Sequence, residues 1–340
     1  MAGVVIHIKR CLIVGPSWVG DMVMAQSLFK RLKADNPALY LAVLAPEWSE
    51  ALLAHMPEVD ESIIMPVGHK QVQLGARWHL ARGIKQKGFD QAIILPGSLK
   101  SALIPFFAGI PRRTGFVGEQ RYGLLNDYRK LDKAALPLNV ERFLVLGSPE
   151  HVLPEQIPKP ALRVDETAQD AVRKKYALNT EKPMLALCPG AEFGPAKQWP
   201  AKHYASVAQQ KINDGWQVVL LGSAADKAIC AEINDANQGK CEDLSGRTSL
   251  TEVIDVLSLT DYVVSNDSGL MHIAAALERP LVAIYGSSSP DFTPPLSGNC
   301  AMLKLELDCQ PCFKRECPLG HRNCLYELLP ETVLAAMNSV

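Results

Sequence analysis

Short, mostly apolar runs alternate with longer amphipathic segments along most of this chain of 340 residues. The short runs indicate buried strands, and apolar positions at three- and four-residue intervals indicate helices. In the first half the pattern predicts strands at 11–14, 39–44, 61–65 and 91–95. It predicts helices at 22–33, 47–55, 72–87 and 99–108. Such alternation is typical of parallel βαβ units.

The same alternation resumes after a proline-rich polar stretch at 151–160, which we interpret as a linker. Strands are predicted at 184–188, 217–221, 262–265 and 281–285. Helices are predicted at 201–213, 225–236, 250–259 and 270–277, with a closing helix at 330–337. The pattern therefore predicts two similar α/β domains, 1–160 and 161–329, and leaves the final segment, 330–340, free to join the first.

Composition narrows the class of protein without identifying it. Hydrophobic residues make up 48% of the chain and charged residues 21%, which is typical of a folded enzyme. The net charge of −1 gives no general reason to expect nucleic acid as a partner. No apolar run approaches the roughly 18–20 residues that span a bilayer. We therefore expect a cytoplasmic protein, with a peripheral membrane contact left open.

The first strand leads into a glycine-bracketed loop at 15–20 and then into Asp21, at the start of a predicted helix. Loops at the carboxyl ends of parallel strands line the ligand crevice of such sheets. Asp21 can therefore face a ligand, or it can serve simply as a helix-capping residue. From this stretch alone, capping is the better-supported interpretation.

Stronger signals follow the strands of the second half. After the strand at 184–188, a flexible loop with Gly190 and Ala191 delivers Lys197 just before Trp199. Backbone N–H groups with one lysine suit a phosphate, although a solvated loop lysine explains the same residues. After the strand at 217–221, Asp226 follows a glycine and can accept hydrogen bonds from ribose hydroxyls.

A cluster of small polar residues follows the strand at 262–265. A helix is predicted to begin near Ser268, Gly269 and Leu270, with Asp267 just before it and His272 one turn in. A helix N-terminus binds anions, whereas Asp267 or Ser268 could equally be a cap. The Gly-x-Gly-x-x-Gly loop of nicotinamide enzymes is missing after the first strand, and so is a P-loop Gly-Lys-Ser/Thr.

Four cysteines cluster near the end of the chain, at Cys309, Cys312, Cys317 and Cys324. Four thiolates this close could hold zinc, but the spacing is not that of two repeated Cys-x-x-Cys pairs. Free or partly oxidised thiols remain the favoured interpretation, and a structural metal stays open.

The motifs at 15–21, 189–200, 266–272 and 309–324 together resemble the ADP-heptose:lipopolysaccharide heptosyltransferases, glycosyltransferase family 9. The resemblance covers nearly the whole chain and is strongest to members that add the second heptose of the core. It implies the GT-B fold, in which two Rossmann-like domains face each other across a cleft. It also implies no cofactor and no catalytic metal.

The resemblance further implies a distribution of roles between the two domains. The first would bind the lipopolysaccharide inner-core acceptor, with Asp21 as the base of an inverting transfer. The second would bind ADP-L-glycero-D-manno-heptose, and Lys197 and the helix start at 268–270 would stabilise the departing ADP. Asp267 and His272 would support the phosphates or the heptose, and Asp226 would hold the ribose.

The acceptor of this family carries phosphates and acidic sugars, so a basic pair in the first domain is a candidate contact. Arg112 and Arg113 could face those groups, or they could form a solvated basic turn. Two rival functions also remain. One is a GT-B transferase with a UDP- or GDP-sugar donor, and the other is a nucleotide-binding scaffold without catalysis.

Overall fold

The computed structural model describes residues 8–66, 73–148, 151–179 and 181–339. They form two compact units, and the chain passes from the first to the second between Pro160 and Ala161. Each unit contains a six-stranded sheet whose paired strands are all parallel, with helices in the connections. The predicted α/β class, with two Rossmann-like doubly wound sheets, is confirmed.

The first unit has strand order β3-β2-β1-β4-β5-β6. Its strands are β1 (Arg10–Val14), β2 (Tyr40–Ala45), β3 (Glu61–Ile64), β4 (Gln91–Ile94), β5 (Arg112–Phe116) and β6 (Asp127–Arg129). Its helices are α1 (Val19–Asp35), α2 (Ser49–Leu53), α3 (Leu74–Gln86), α4 (Leu99–Phe107) and α5 (Asn139–Gly147). The first predicted residue of α3, Val72, lies outside the described residues. The central strands are buried on both sides, as expected for a parallel sheet covered by helices.

The second unit repeats this arrangement, with strand order β12-β11-β10-β7-β8-β9. Its strands are β7 (Met184–Cys188), β8 (Gln217–Leu220), β9 (Glu242–Asp243), β10 (Tyr262–Asn266), β11 (Leu281–Ile284) and β12 (Cys300–Leu303). Its helices are α6 (Glu166–Lys175), α7 (Ala201–Asn213), α8 (Lys227–Ala236), α9 (Leu250–Ser258), α10 (Gly269–Ala276), α11 (Asn323–Tyr326) and α12 (Pro330–Met337). Trp199 and Tyr204 are the largest fully buried side chains of its core.

The strand order places a topological switch point in each sheet. It lies between β1 and β4 in the first unit and between β7 and β10 in the second, because the chain leaves these strands in opposite directions. Ligands of open α/β sheets bind at the carboxyl ends of the strands at such points. The loop before Asp21 follows β1, and the loops with Lys197 and Asp267 follow β7 and β10.

The structure differs from the sequence-based expectation at the end of the chain and at the sheet edges. The closing helix α12 packs on α7, β11 and β12 and belongs to the second unit. Strands β5, β6, β9 and β12, and helices α5, α6 and α11, were not predicted from the sequence. Among the described residues, no helix is both long and apolar enough to cross a membrane.

Candidate active site

Two loops meet at the switch point of the second sheet, and the side chain of Asn266 joins them. Asn266 is the last residue of β10 and is fully buried. Its Nδ2 donates to the carbonyl oxygen of Pro189 at 2.7 Å and more weakly to that of Gly190 at 3.3 Å. Its Oδ1 accepts from the backbone N–H of Trp199 at 3.0 Å and from the Tyr204 hydroxyl at 3.1 Å. The amide thus fixes both ends of the loop that carries Lys197.

Lys197 and Asp267 form an ion pair at this edge. The Lys197 Nζ lies 2.5 Å from Asp267 Oδ2, and their side chains are 17% and 4% exposed. The lysine also lies over the ring of Phe193, with Nζ 5.1 Å from the ring centroid. Because the pair is largely desolvated, Asp267 holds the Lys197 ammonium group in a defined position next to the loop backbone.

Helix α10 begins immediately after this pair. Ser268 is its N-cap residue and makes no side-chain hydrogen bond to the helix backbone, so the amides of Gly269 and Leu270 in the first turn have no cap from it. The Ser268 hydroxyl lies 3.2 Å from that of Ser265. The helix dipole adds partial positive charge at the same end. Lys197 and the start of α10 therefore offer two kinds of anion-binding group at one place.

His272 lies one turn into α10 and is buried. Burial lowers the pKa of its imidazole from 6.5 to about 4, with the charge of Asp267 opposing the shift and that of Lys197 adding to it. The imidazole is therefore neutral at physiological pH. It can donate or accept one hydrogen bond at each ring nitrogen, but it supplies no positive charge to a phosphate.

Asp226 follows β8 and lies against the loop after β7. Its Oδ2 accepts from the backbone N–H and the hydroxyl of Ser223, both at 2.8 Å. A Cβ atom on Gly190 would stand 2.6 Å from the Asp226 carboxyl carbon. Only glycine at position 190 leaves room for that carboxylate. The fold therefore brings Asp226 against Gly190 and the neighbouring Ala191, although Gly190 and Asp226 are 36 positions apart in the sequence.

The C-terminal segment and the loop after β11 both make backbone hydrogen bonds to the loop that carries Lys197. The Arg315 carbonyl oxygen accepts from the Ala196 N–H at 3.1 Å, and the Ala196 carbonyl oxygen accepts from the Ser287 N–H at 3.0 Å. Gly194, at φ +146°, has no room for a side chain because Arg315 O would lie 2.6 Å from its Cβ. Sequence reasoning missed this anchoring role of the tail.

The four clustered cysteines lie in the same C-terminal segment. They are free thiols and line a cavity of about 20 Å³ together with Ala196 and Gly286. Backbone N–H groups, that of Arg322 foremost, lower the pKa of the Cys317 thiol, whereas burial raises that of Cys324 to about 11. Within the described part of the chain, no three or more His, Cys, Asp or Glu side chains are grouped as a metal site.

A serine run after β11 contributes hydroxyls that sequence reasoning also missed. Ser287 and Ser288 are 1% and 4% exposed. Neither hydroxyl has a hydrogen-bond partner within the described residues. Since β11 neighbours β10, these groups lie at the ligand edge of the sheet, and a polar run directly after an apolar strand is the signal that would have found them.

In the first unit, Asp21 lies in the first turn of α1 and is partly exposed. Its Oδ1 accepts from the side-chain amide of Asn139 at 2.9 Å, at the start of α5. Trp18 is the N-cap residue of α1, so Asp21 is not the cap itself. A carboxylate oriented by the Asn139 amide at the switch point has the chemistry of a general base.

The structure places Arg112 and Arg113 away from Asp21. They begin β5, in register with the start of β4, and therefore lie at the opposite edge of the sheet from Asp21. Arg112 pairs with Asp127 at 2.8 Å, and Arg113 donates to the carbonyl oxygens of Leu124 and Ile110. The expected basic turn is a strand, and this placement does not support contact with an acceptor bound near Asp21.

Comparison with known proteins gives a consistent result. The model of glycosyltransferase family 9 (heptosyltransferase) matches residues 77–323. Lipopolysaccharide heptosyltransferase 2 of Escherichia coli (strain K12) is 46% identical over 97% of this chain and 98% of its own. Lipooligosaccharide heptosyltransferase 2 of Haemophilus influenzae is 44% identical over 97% of this chain and 98% of its own.

A solved structure shares the fold along the same length. It is described as E. coli ADP-heptose lps heptosyltransferase II, and it matches 97% of this chain and 98% of its own with a TM-score of 0.88 and 45% identity. The resemblance inferred from the four sequence motifs is thereby confirmed. The chain belongs to glycosyltransferase family 9, the heptosyltransferases.

Proposed function

We propose that this protein transfers L-glycero-D-manno-heptose from ADP-heptose to the first heptose of the lipopolysaccharide inner core, with inversion at the anomeric carbon. Its heptosyltransferase 2 relatives are named for lipopolysaccharide or lipooligosaccharide, and the similar solved structure is described as an ADP-heptose enzyme. The observation that carries the proposal is the grouping of Lys197, Asp267 and the start of α10 at the switch point of the second sheet.

This group of residues suits the diphosphate of a nucleotide sugar. The backbone at Gly190 and Ala191, the first-turn amides at Ser268, Gly269 and Leu270, and the Lys197 ammonium supply donors around one position. Asp226 would accept from the ribose hydroxyls. Asp267 holds Lys197 in place, and neutral His272 would donate a hydrogen bond to a phosphate or to the heptose.

The chemical step would proceed as a single displacement. Asp21 takes the proton of the acceptor hydroxyl while the oxygen of that hydroxyl forms a bond to the anomeric carbon of the donor. The bond from that carbon to the phosphate oxygen breaks, and ADP leaves with both electrons. Lys197 and the N-terminus of α10 stabilise the negative charge that develops on the departing phosphate.

The acceptor is part of a glycolipid, so we propose that the protein also makes peripheral contact with the inner face of the inner membrane. This contact requires no membrane-spanning helix.

Two measurements test the donor and the base separately. Thermal shift with ADP, UDP and GDP should show the largest stabilisation with ADP, and a preference for UDP would point to a different nucleotide-sugar donor.

The Asp21→Asn variant should bind ADP normally and lose transfer by roughly 10²-fold or more. Asp35→Asn, at the end of the same helix, is the control and should retain transfer. Near-normal turnover by Asp21→Asn would remove Asp21 from the mechanism.

A further inference from the structure

Helices α3 and α4 of the first unit carry exposed apolar side chains that touch one another. Trp78 is 53% exposed and packs edge-on against Phe107, with ring centroids 5.4 Å apart. Phe107 in turn contacts Phe106 at 5.9 Å. Leu74 is also exposed and lies one turn before Trp78 on α3. These four residues form what we call the α3–α4 aromatic surface.

The surrounding charge is strongly biased. Residues 73–118 contain seven Lys or Arg and one acidic residue, Asp90, although the whole chain has a net charge of −1. The Asp90 carboxylate is occupied, since it accepts the backbone N–H groups of Lys9 and Arg10. Two of the seven cations, Lys87 and Arg112, are paired with carboxylates of the neighbouring strands β3 and β6.

Of the other five cations, Arg77 is buried, and three lie near the aromatic surface. Arg82 and Lys85 are exposed on α3, one and two turns after Trp78. The Arg113 guanidinium lies 5.5 Å from the Phe106 ring centroid, and its hydrogen bonds to backbone carbonyls leave its charge in place. The result is an apolar centre with Trp at the surface and cations at its border.

That pattern complements the interface of an anionic bilayer. Trp and Phe side chains insert at the headgroup level, and nearby Lys and Arg are attracted by anionic lipids. A second copy docking through the same face would bring like charges together around a two-fold axis, which opposes that arrangement.

We infer that the α3–α4 aromatic surface docks this protein on an anionic phospholipid bilayer. The inference rests on the proposed function, in which the acceptor sugar is carried by a lipid. Leu74 and Leu99 begin their helices at the carboxyl edge of the first sheet, the edge at which Asp21 lies. The surface extends from this edge at Leu74 to the opposite edge at Arg113. Docking through it would place the first unit, which binds the acceptor in the proposed function, against the membrane.

Co-sedimentation of the full chain with vesicles tests the surface directly. The wild type should bind vesicles of phosphatidylcholine with phosphatidylglycerol and bind phosphatidylcholine alone weakly. Arg82→Gln with Lys85→Gln should weaken binding to the anionic vesicles by about 25-fold, or about fivefold for each charge. Trp78→Ser should weaken it by roughly tenfold or more.

Matched controls are available in the second unit. Lys174→Gln with Lys240→Gln removes two exposed cations, and Leu329→Ser removes an exposed apolar side chain. Both controls should bind vesicles like the wild type. Equal loss in controls and test variants, equal binding to both kinds of vesicle, or a dimer in sedimentation that Trp78→Ser dissolves would each overturn the inference.

A second readout separates this inference from the proposed function. With a water-soluble, deacylated acceptor, the Trp78 and Arg82/Lys85 variants should transfer heptose at the wild-type rate. Wild-type transfer together with no vesicle binding would refute the surface alone, whereas vesicle binding without any transfer would refute the proposed function alone.

Discussion

At the scale of single residues, Lys197 and Asp267 raise the question of whether their ion pair serves the fold or the ligand. Removing one member of a buried pair leaves the other without compensation, which destabilises regardless of function. Asp267 is the more buried partner, so it is the one that would be left uncompensated. A double substitution can therefore separate the two roles.

We predict that Lys197→Met lowers the stability of the second unit by about 2 kcal/mol and weakens ADP binding by roughly 10- to 100-fold. Adding Asp267→Asn should restore most of the stability, because no buried charge is then unpaired. It should not restore ADP affinity. Denaturation and calorimetric titration of both variants check this, and recovery of affinity in the double variant would show that Lys197 does not bind the phosphates.

The pKa of His272 makes the stability of the folded state depend on pH. Its pKa is about 4 in the folded protein and 6.5 in the unfolded chain, so between these values the unfolded chain binds more protons. Its contribution is fully present above pH 6.5 and is lost as the pH falls from there to 4. The imidazole thus destabilises the folded state in acid.

We predict that His272→Gln reduces the loss of stability between pH 7 and pH 4.5 by roughly 2–3 kcal/mol. Denaturant titrations of wild type and variant at both pH values measure this difference, and all other groups cancel in the comparison. His203→Gln, at a second buried histidine in the same unit, is the comparison variant. Burial also lowers the pKa of His203, so this variant should change the pH dependence in the same direction and by less. An unchanged pH dependence in His272→Gln would show that this imidazole is not held neutral.

At the scale of elements, Asn266 ties the end of β10 to the loop after β7. A carboxylate cannot donate to the carbonyl oxygens of Pro189 and Gly190, and it would bury a charge there. The two strands at the switch point would then no longer share a fixed loop geometry.

We predict that Asn266→Asp destabilises the second unit by about 3 kcal/mol and also weakens ADP binding by at least tenfold when the protein is folded. Asn237→Asp is the matched control. Asn237 is equally buried and donates to the carbonyls of Ala205 and Ile233, between α7 and α8. It should lose stability and keep ADP affinity, and equal affinity losses in both variants would contradict a positioning role for Asn266.

The elements that the sequence predicted are those whose apolar runs are continuous. Strands β1, β2, β7 and β10 are buried nearly throughout, so their side chains alone reveal them. Strand β5 escaped prediction because it begins with Arg112 and Arg113. Arg112 is compensated by Asp127 of β6, which also accepts from Thr114, and Arg113 donates to the carbonyl oxygens of Leu124 and Ile110. The partners Asp127 and Leu124 lie more than ten residues further along the chain.

In the candidate site too, local sequence patterns were predictable and long-range contacts were not. The sequence predicted that Lys197, Asp267 and Asp226 follow apolar strands, and the structure places them there. The bridging role of Asn266, the orienting amide of Asn139 and the anchoring by Arg315 depend on residues distant in sequence. No local pattern encodes these contacts, because the strand order that creates them is a property of the folded chain.

At the scale of the whole molecule, the two units have similar sheets and different chemistry. The second gathers anion-binding groups at its switch point, and the first presents a carboxylate at the equivalent position. The small net charge hides a basic region in the first unit. This distribution fits a protein that takes an anionic donor in one unit and a lipid-borne acceptor in the other.

The central claim is tested most directly by a transfer assay. Purified protein is incubated with ADP-L-glycero-D-manno-heptose and an inner-core acceptor that ends in a single heptose, and the acceptor mass and released ADP are measured. We predict the addition of one heptose per acceptor with an equal amount of ADP. An unchanged acceptor, with protein that is folded and binds ADP, would contradict the proposed function.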